Sequence, residues 1–444
     1  MCSIMQIKLI KYVLGVILII NIAIISIVTA QNLPNSSGNL ALATLPAGTS
    51  YFPSDEPLQV NQIDPNEECF VPCNQIYRGQ VKDGIPSVDN PTFVNPGDEN
   101  EPHPREKVIG IVVGGITRAY PFDVLNWHEI VNDVFDGVHI SVTYCPLTGS
   151  GCVIPTAALG NAELGTSGFL YENNLVFYDR NTDTEFSQMG LVGIRGELSG
   201  VEVEYSPAVE TTWEAWQRLH PETQVLSRET GIVRDYDRYP YGTYKSDKSI
   251  YFPSTYNDNE APYNLYHEKT LTQILRIDDQ VLLLPFPELD KNQVFNHQFN
   301  NKDLLTLYEP DEALALTYSS IVNDIALEFS SYQDSSNSLN IDLTLDLQLF
   351  IDESNTIWNF NGLAISGPLQ GEQLTLIATY NAFWFAASTF HSSANILVID
   401  GENIQFDVTP ELQDTDFVSF SPFFFAGLLV LIVPVYILRR KDKL

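Results

Sequence analysis

The chain repeats itself, and that constrains its fold more than any single motif. His103 to Leu125, HPREKVIGIVVGGITRAYPFDVL, is echoed by His267 to Leu289, HEKTLTQILRIDDQVLLLPFPEL. Each carries a His, a Glu-Lys pair, an apolar run and then Pro-Phe-x-x-Leu. SVTYCPLTGSGCVI (Ser141 to Ile154) is echoed by ALTYSSIVNDIALEF (Ala315 to Phe329), which sets Thr143-Tyr144 on Thr317-Tyr318. MGLVGIRGELSG (Met189 to Gly200) resembles NGLAISGPLQGEQL (Asn361 to Leu374), and Trp213, His220 and Val225-Leu226 recur as Trp384, His391 and Ile396-Leu397. The landmarks keep their order while their spacing drifts, as loops of unequal length produce. Two tandem units in one pseudo-symmetric body are therefore expected, at 67–232 and 262–400.

Within each unit the pattern is mainly β with a few short helices, an α+β arrangement. EKVIGIVVGG running into ITRAYPF reads as two strands around a Gly-Gly turn, and GVHISVTY and NNLVFYDR alternate as half-buried strands do. One helix is expected at TTWEAWQRLHPET, capped by Thr212 and stopped by Pro221, with Trp213, Trp216, Leu219 and His220 on one face. A second is expected over Asp123 to Asp133, DVLNWHEIVND, with Asp136-Gly137 as the turn that follows. The tyrosine-rich stretch at 233–261, containing RDYDRYPYGTY, connects the units.

The two ends differ from the middle. Lys8 and Lys11 precede an apolar run to Val28, then Thr29 and Ala30, the layout of a secretory signal peptide over residues 1–30. Residues 31–66 read as a linker and 401–419 as a stalk. Phe420 to Leu438 carries no charge and is followed by Arg439, Arg440, Lys441 and Lys443. About 19 helical residues nearly span a hydrocarbon core of about 30 Å. The sequence thus predicts a single-pass cell-membrane protein with its N-terminal body extracytoplasmic and residues 439–444 as a basic cytoplasmic tail. A formal net charge of −33 repels nucleic acid. The partners expected are the membrane, through the C-terminal helix, and an unidentified small molecule or protein.

The repeat also separates scaffold from site. His220 and His391 persist in both units and read as structural, whereas His128, Glu129 and Cys145 are replaced in the second unit by Asn292, Gln293 and Ser319. One thiolate, one imidazole and one carboxylate form a donor set for copper or zinc, with a redox role as a corollary, and Asp133 and His139 stand close by in sequence as supporting groups. The same three groups could form a cysteine-dependent hydrolase, with Gly149 to Gly151 supplying oxyanion donors. Alternatively Cys145 and Cys152 close a disulfide, as Cys69 and Cys73 would, and Asp133 is simply a turn residue. The chain would then be a surface binding module presenting Tyr236, Tyr239, Tyr241 and Tyr244. Walker, Rossmann, Gly-x-Ser-x-Gly and haem-attachment motifs do not occur.

Four motifs in order carry a family resemblance: KDGIPSVDNPTF (Lys82 to Phe93), RAYPFDVLNWHEIVND (Arg118 to Asp133), VTYCPLTGSG (Val142 to Gly151) and FWFAASTFH (Phe383 to His391). Together they resemble the DUF3179 family, extracytoplasmic proteins of unassigned function, over about residues 70–400. The resemblance implies Cys-Pro-Leu-Cys where this chain has Cys145-Pro146-Leu147-Thr148, so a two-thiol site is in question here. It also implies a second Trp where Ala387 stands.

Overall fold

A computed structural model describes residues 68–333 and 347–400, with the backbone of the strands Asn61–Gln62 and Asn403–Val408. The expected signal peptide, membrane helix and basic tail lie outside the described residues. Among the described residues no helix is long and apolar enough to cross a membrane. Two stretches read as linker and stalk contribute strands: Asn61–Gln62 pairs with Ile76–Arg78, and Asn403–Val408 with Asn395–Asp400.

Short strands dominate, as the alternating patterns require. Lys107–Val113 and Ile116–Pro121 form the hairpin expected around Gly114-Gly115, whose φ angles of 58° and 84° are those of a glycine turn. These strands are central in a five-stranded sheet ordered Val209–Thr212, Lys107–Val113, Ile116–Pro121, Gln224–Leu226, Phe93–Val94. A second five-stranded sheet runs Thr379–Phe383, Leu271–Ile277, Gln280–Pro285, Asn395–Asp400, Asn403–Val408. In each, the inner hairpin is flanked by a strand leading into a seven-residue helix, Trp213–Leu219 or Trp384–Phe390, and by the strand that follows that helix. Thr212 caps the first of these helices, its hydroxyl accepting from the Ala215 amide at 3.2 Å.

Each hairpin then feeds a smaller sheet. Ile130–Phe135, Val138–Cys145 and Ser150–Pro155 form one; Val294–Phe299, Lys302–Glu309 and Leu314–Ser319 are the matching three strands of the other. This strand order corrects the sequence alignment by one strand. Val138–Cys145 matches Lys302–Glu309, so Cys145 corresponds to Glu309 rather than Ser319, and Thr143-Tyr144 to Leu307-Tyr308 rather than Thr317-Tyr318. The amides of Tyr144 and Tyr308 mark the same place, donating to the carbonyls of Glu129 and Gln293. Neighbouring strands buried on both faces carry similar apolar runs, so a Thr-Tyr pair alone cannot distinguish them.

The helix expected over Asp123 to Asp133 is only half present. Phe122–His128 is helical, Glu129 turns left-handed at φ 58°, and Ile130–Phe135 is a strand in which β-branched Ile130, Val131 and Val134 favour the pleat. Asp136-Gly137 is the turn that follows, as expected.

The two halves share their cores. Val108 and Trp216 pack in one cluster with Leu305, Leu316 and Trp358, while Cys145 and Phe177 share another with Ile274 and Trp384. Gly110 lies in a strand pressed on Trp216, where an added Cβ would come within 2.3 Å of the indole. The matching positions of the second half hold Ile274 and Ala387, both fully buried. The large residue has moved from helix to strand, which accounts for alanine at 387. Gly110→Ala should therefore destabilise the protein by about 2–3 kcal/mol through overpacking, read as a lowered unfolding midpoint.

Candidate functional site

Strand register decides how Cys145 and Cys152 stand to one another. Val138–Cys145 and Ser150–Pro155 are antiparallel strands joined by the turn Pro146–Gly149, with Cys145 opposite Ser150 and Thr143 opposite Cys152. Cys145 and Cys152 are thus diagonal neighbours on one face, a relation of about 7–8 Å, beyond the span of a disulfide. Both are free, buried thiols, so the expected Cys145–Cys152 disulfide is not formed. Cys69 and Cys73 are bonded. The turn itself is clamped from the second half: the Phe383 amide donates to the Thr148 carbonyl at 2.7 Å, and a Cβ on Gly149 would lie 2.8 Å from the Phe383 ring.

Thr148, where the resemblance implies a second thiol, belongs to a buried network of neutral groups. Its hydroxyl lies 2.9 Å from that of Ser150 and accepts from Asn174 Nδ2 at 2.9 Å. Asn174 and Ser150 also donate to Gln188 Oε1, and Gln188 Nε2 reaches Thr143. These hydroxyls and amides satisfy one another and fix the turn rigidly.

The three leading site residues divide. His128 is the last residue of its helix; because Glu129 adopts the left-handed conformation, the chain swings round and the two side chains part. His128 Nδ1 lies 2.8 Å from the Pro86 carbonyl, which can only accept, so Nδ1 carries the proton. Nε2 then accepts from the Tyr236 hydroxyl at 2.7 Å. Burial holds this imidazole neutral, its pKa pushed down to about 4. Both nitrogens are committed.

Glu129 stays near Cys145, since its carbonyl takes the Tyr144 amide at 2.7 Å, one residue before the cysteine. The Glu129 carboxyl is buried, accepts from the Tyr241 hydroxyl at 3.2 Å, and is pushed up to about 8 by desolvation. The Cys145 thiol is pushed up to about 11 by burial and then by the neighbouring Glu129 charge; its Sγ lies 3.7 Å from the Asn173 carbonyl. No ion pair to a cation balances either group among the described residues. Glu129 and Tyr241 form the polar end of a cavity of about 30 Å³ whose walls include Ile85, Leu147, Leu170 and Leu175.

The other candidates lie elsewhere. Asp133 is no turn residue: it is buried within a strand, ion-paired to Arg118 at 2.7 Å, and accepts from the Tyr120 hydroxyl. His139 is on the Cys145 strand but six residues away, about 20 Å along an extended chain. Among the described residues no group of three or more His, Cys, Asp and Glu side chains is placed to hold a metal ion. Tyrosines 241 and 244, expected on a presenting surface, are 3% and 0% exposed and point inward. Sequence reading passed over Asn173, which lies against the thiol, and Glu106, pushed up to about 7 by burial and by the adjacent Asp123 charge. Its only signal was a place in the repeated Glu-Lys pair.

A scan of protein-family models matches the family described as protein of unknown function, DUF3179, over residues 82–394. The chain belongs to that family. No curated protein and no solved structure matches it.

The raised carboxyl predicts a direction of pH dependence. Unfolded, Glu129 would ionise near 4.5; folded, it keeps its proton up to about 8. Its burial thus carries no ionisation penalty below pH 4.5 and becomes increasingly unfavourable as pH rises towards 8, at about 1.4 kcal/mol per unit for a fully shifted group. Buried imidazoles such as His128 act in the opposite direction below about pH 6.5, so the Glu129 contribution is read as a difference: relative to the parent chain, Glu129→Gln should gain unfolding temperature steadily from pH 5 to pH 8.

Proposed function

We propose that the cavity walled by Glu129 and Tyr241, next to Cys145, is a binding site for a small uncharged molecule, carried by a membrane-anchored extracytoplasmic protein. The observation behind this reading is a buried carboxyl, Glu129, in the wall of a largely apolar cavity, with the buried Cys145 thiol behind it and, among the described residues, no ion pair to balance either. At neutral pH both hold their protons and neither presents a charge; the Cys145 thiol is directed at the Asn173 carbonyl, which leaves the Glu129 carboxyl as the hydrogen-bond donor for a ligand. Such a site suits a compact ligand with a carbonyl or similar acceptor at one end and an apolar remainder. A hydrolase needs a thiolate and a base. Here the thiol is raised, and the His128 imidazole is committed to Pro86 and Tyr236.

Copper or zinc remains a second reading, favoured by the same pair of acids, because one soft cation could replace their protons. It would draw on Cys145 and Glu129 and not on His128. Thermal-shift titration with a panel of small ketones and amides, beside metal content of the purified chain, separates the two. A midpoint rise with neutral acceptors, lost in Cys145→Ala and Glu129→Leu, supports the first reading. Near one copper or zinc per chain, lost in both variants but kept in His128→Ala, supports the second. No midpoint rise with any neutral acceptor, together with no bound copper or zinc, would overturn both readings.

The extracytoplasmic placement rests on the apolar segments at 1–30 and 420–438 and the basic tail at 439–444. The Cys69–Cys73 bond supports it, because oxidising compartments preserve such bridges. Truncation before Phe420 should move the protein from the membrane fraction to the soluble extracytoplasmic fraction; retention in the membrane would count against the C-terminal anchor.

A further inference from the structure

A cavity of about 30 Å³ holds no more than about two waters. Any larger ligand requires the site to open, and the connector between the halves supplies part of its wall through Tyr241. Its two ends are tied through backbone groups: the Ser227 amide donates to the Thr92 carbonyl at 2.8 Å, and Phe252 exchanges two hydrogen bonds with the Asn173 carboxamide, at 2.7 and 3.0 Å. Between those ends the connector joins no sheet and contains one short 3-10 turn, Tyr244–Ser246.

What holds the intervening stretch down is a row of contacts that land on the site. Arg228 grips the Asp123 carboxylate through Nε and Nη2, at 2.9 and 2.5 Å. Tyr236 donates to His128 at 2.7 Å, Tyr241 to Glu129 at 3.2 Å, and Tyr244 to the Leu147 carbonyl at 2.8 Å. The Arg238 carbonyl accepts from Trp127 Nε1 at 3.1 Å. From the second half, Lys269 lies 3.8 Å over the Tyr244 ring and donates to the Ser249 carbonyl. Three tyrosine hydroxyls therefore end on the last helical residue, on the acid after it, and in the turn after Cys145. A segment anchored at both ends and fastened between them by side-chain contacts is suited to open locally while the sheets stay intact.

We propose that residues 228–251 form a strap that lifts from the Glu129 cavity to admit its ligand and uncovers Cys145, which packs in the same buried cluster as Tyr241 and Tyr244, latched by the hydroxyls of Tyr236, Tyr241 and Tyr244. The purpose of the opening rests on the ligand-site reading above; the opening itself does not. It also gives His128 a role: its ring is the latch point for Tyr236.

The two free thiols supply the test. The full-length protein is prepared with Cys2→Ser and either Cys152→Ser or Cys145→Ser, leaving one free cysteine, and its alkylation by a small maleimide is timed. Replacing Tyr236, Tyr241 and Tyr244 together by Phe removes three hydrogen bonds and should speed alkylation of Cys145 on the order of a hundredfold, leaving Cys152 unchanged. Tyr244→Phe alone should give roughly a fivefold gain and decides the matter if the triple variant does not fold. Equal acceleration at both cysteines, or no acceleration at Cys145, overturns the strap. Selective opening at Cys145 in a protein that binds no ketone or amide would retain the strap and overturn only the ligand reading.

Discussion

The site depends on a carboxylic acid placed at a left-handed joint. Glu129 ends one helix, reverses the chain and begins a buried strand, and its carbonyl takes the Tyr144 amide one residue before Cys145. One residue therefore sets the helix direction, the strand register and the distance between acid and thiol. The cost is a non-glycine residue at φ 58° with its carboxyl away from water. Tyr241 offsets part of that cost, and the remainder appears as a proton retained towards pH 8.

Duplication explains why such a cost can be carried. The second half keeps the sheet orders and the helix after each flanking strand, but Gln293 and Glu309 stand at the positions of Glu129 and Cys145. Shared cores let that half act as a scaffold: Phe383 presses the Cys145 turn, and Lys269 holds the connector. A local penalty in the first half is thereby spread over clusters that cross both.

Much of the scaffold was legible in the sequence, because apolar alternation and a glycine turn are local signals. The Thr212 cap and the Gly114-Gly115 hairpin needed no knowledge of the rest of the chain. Strand identity across the repeat was not legible, since Thr143-Tyr144 and Thr317-Tyr318 lie on different but similarly buried strands. Nor could spacing reveal that His128 and Glu129 part: a helix continued to Asp133 and one broken at Glu129 differ in one backbone angle. The inward tyrosines were hidden for a related reason. Their burial depends on where the connector lies, and hydrogen bonds between residues about 100 positions apart leave no local pattern.

Thr148 has a chemical meaning beyond its place in the buried network. A cysteine oxidised to a sulfenic acid is ordinarily rescued by a nearby thiol, which closes a disulfide that a reductase can open. Here the position three residues on carries a hydroxyl, and Cys152 sits on the wrong diagonal. Among the described residues Cys145 therefore has no resolving partner within reach, and its oxidation would be reversed by a thiol from outside them.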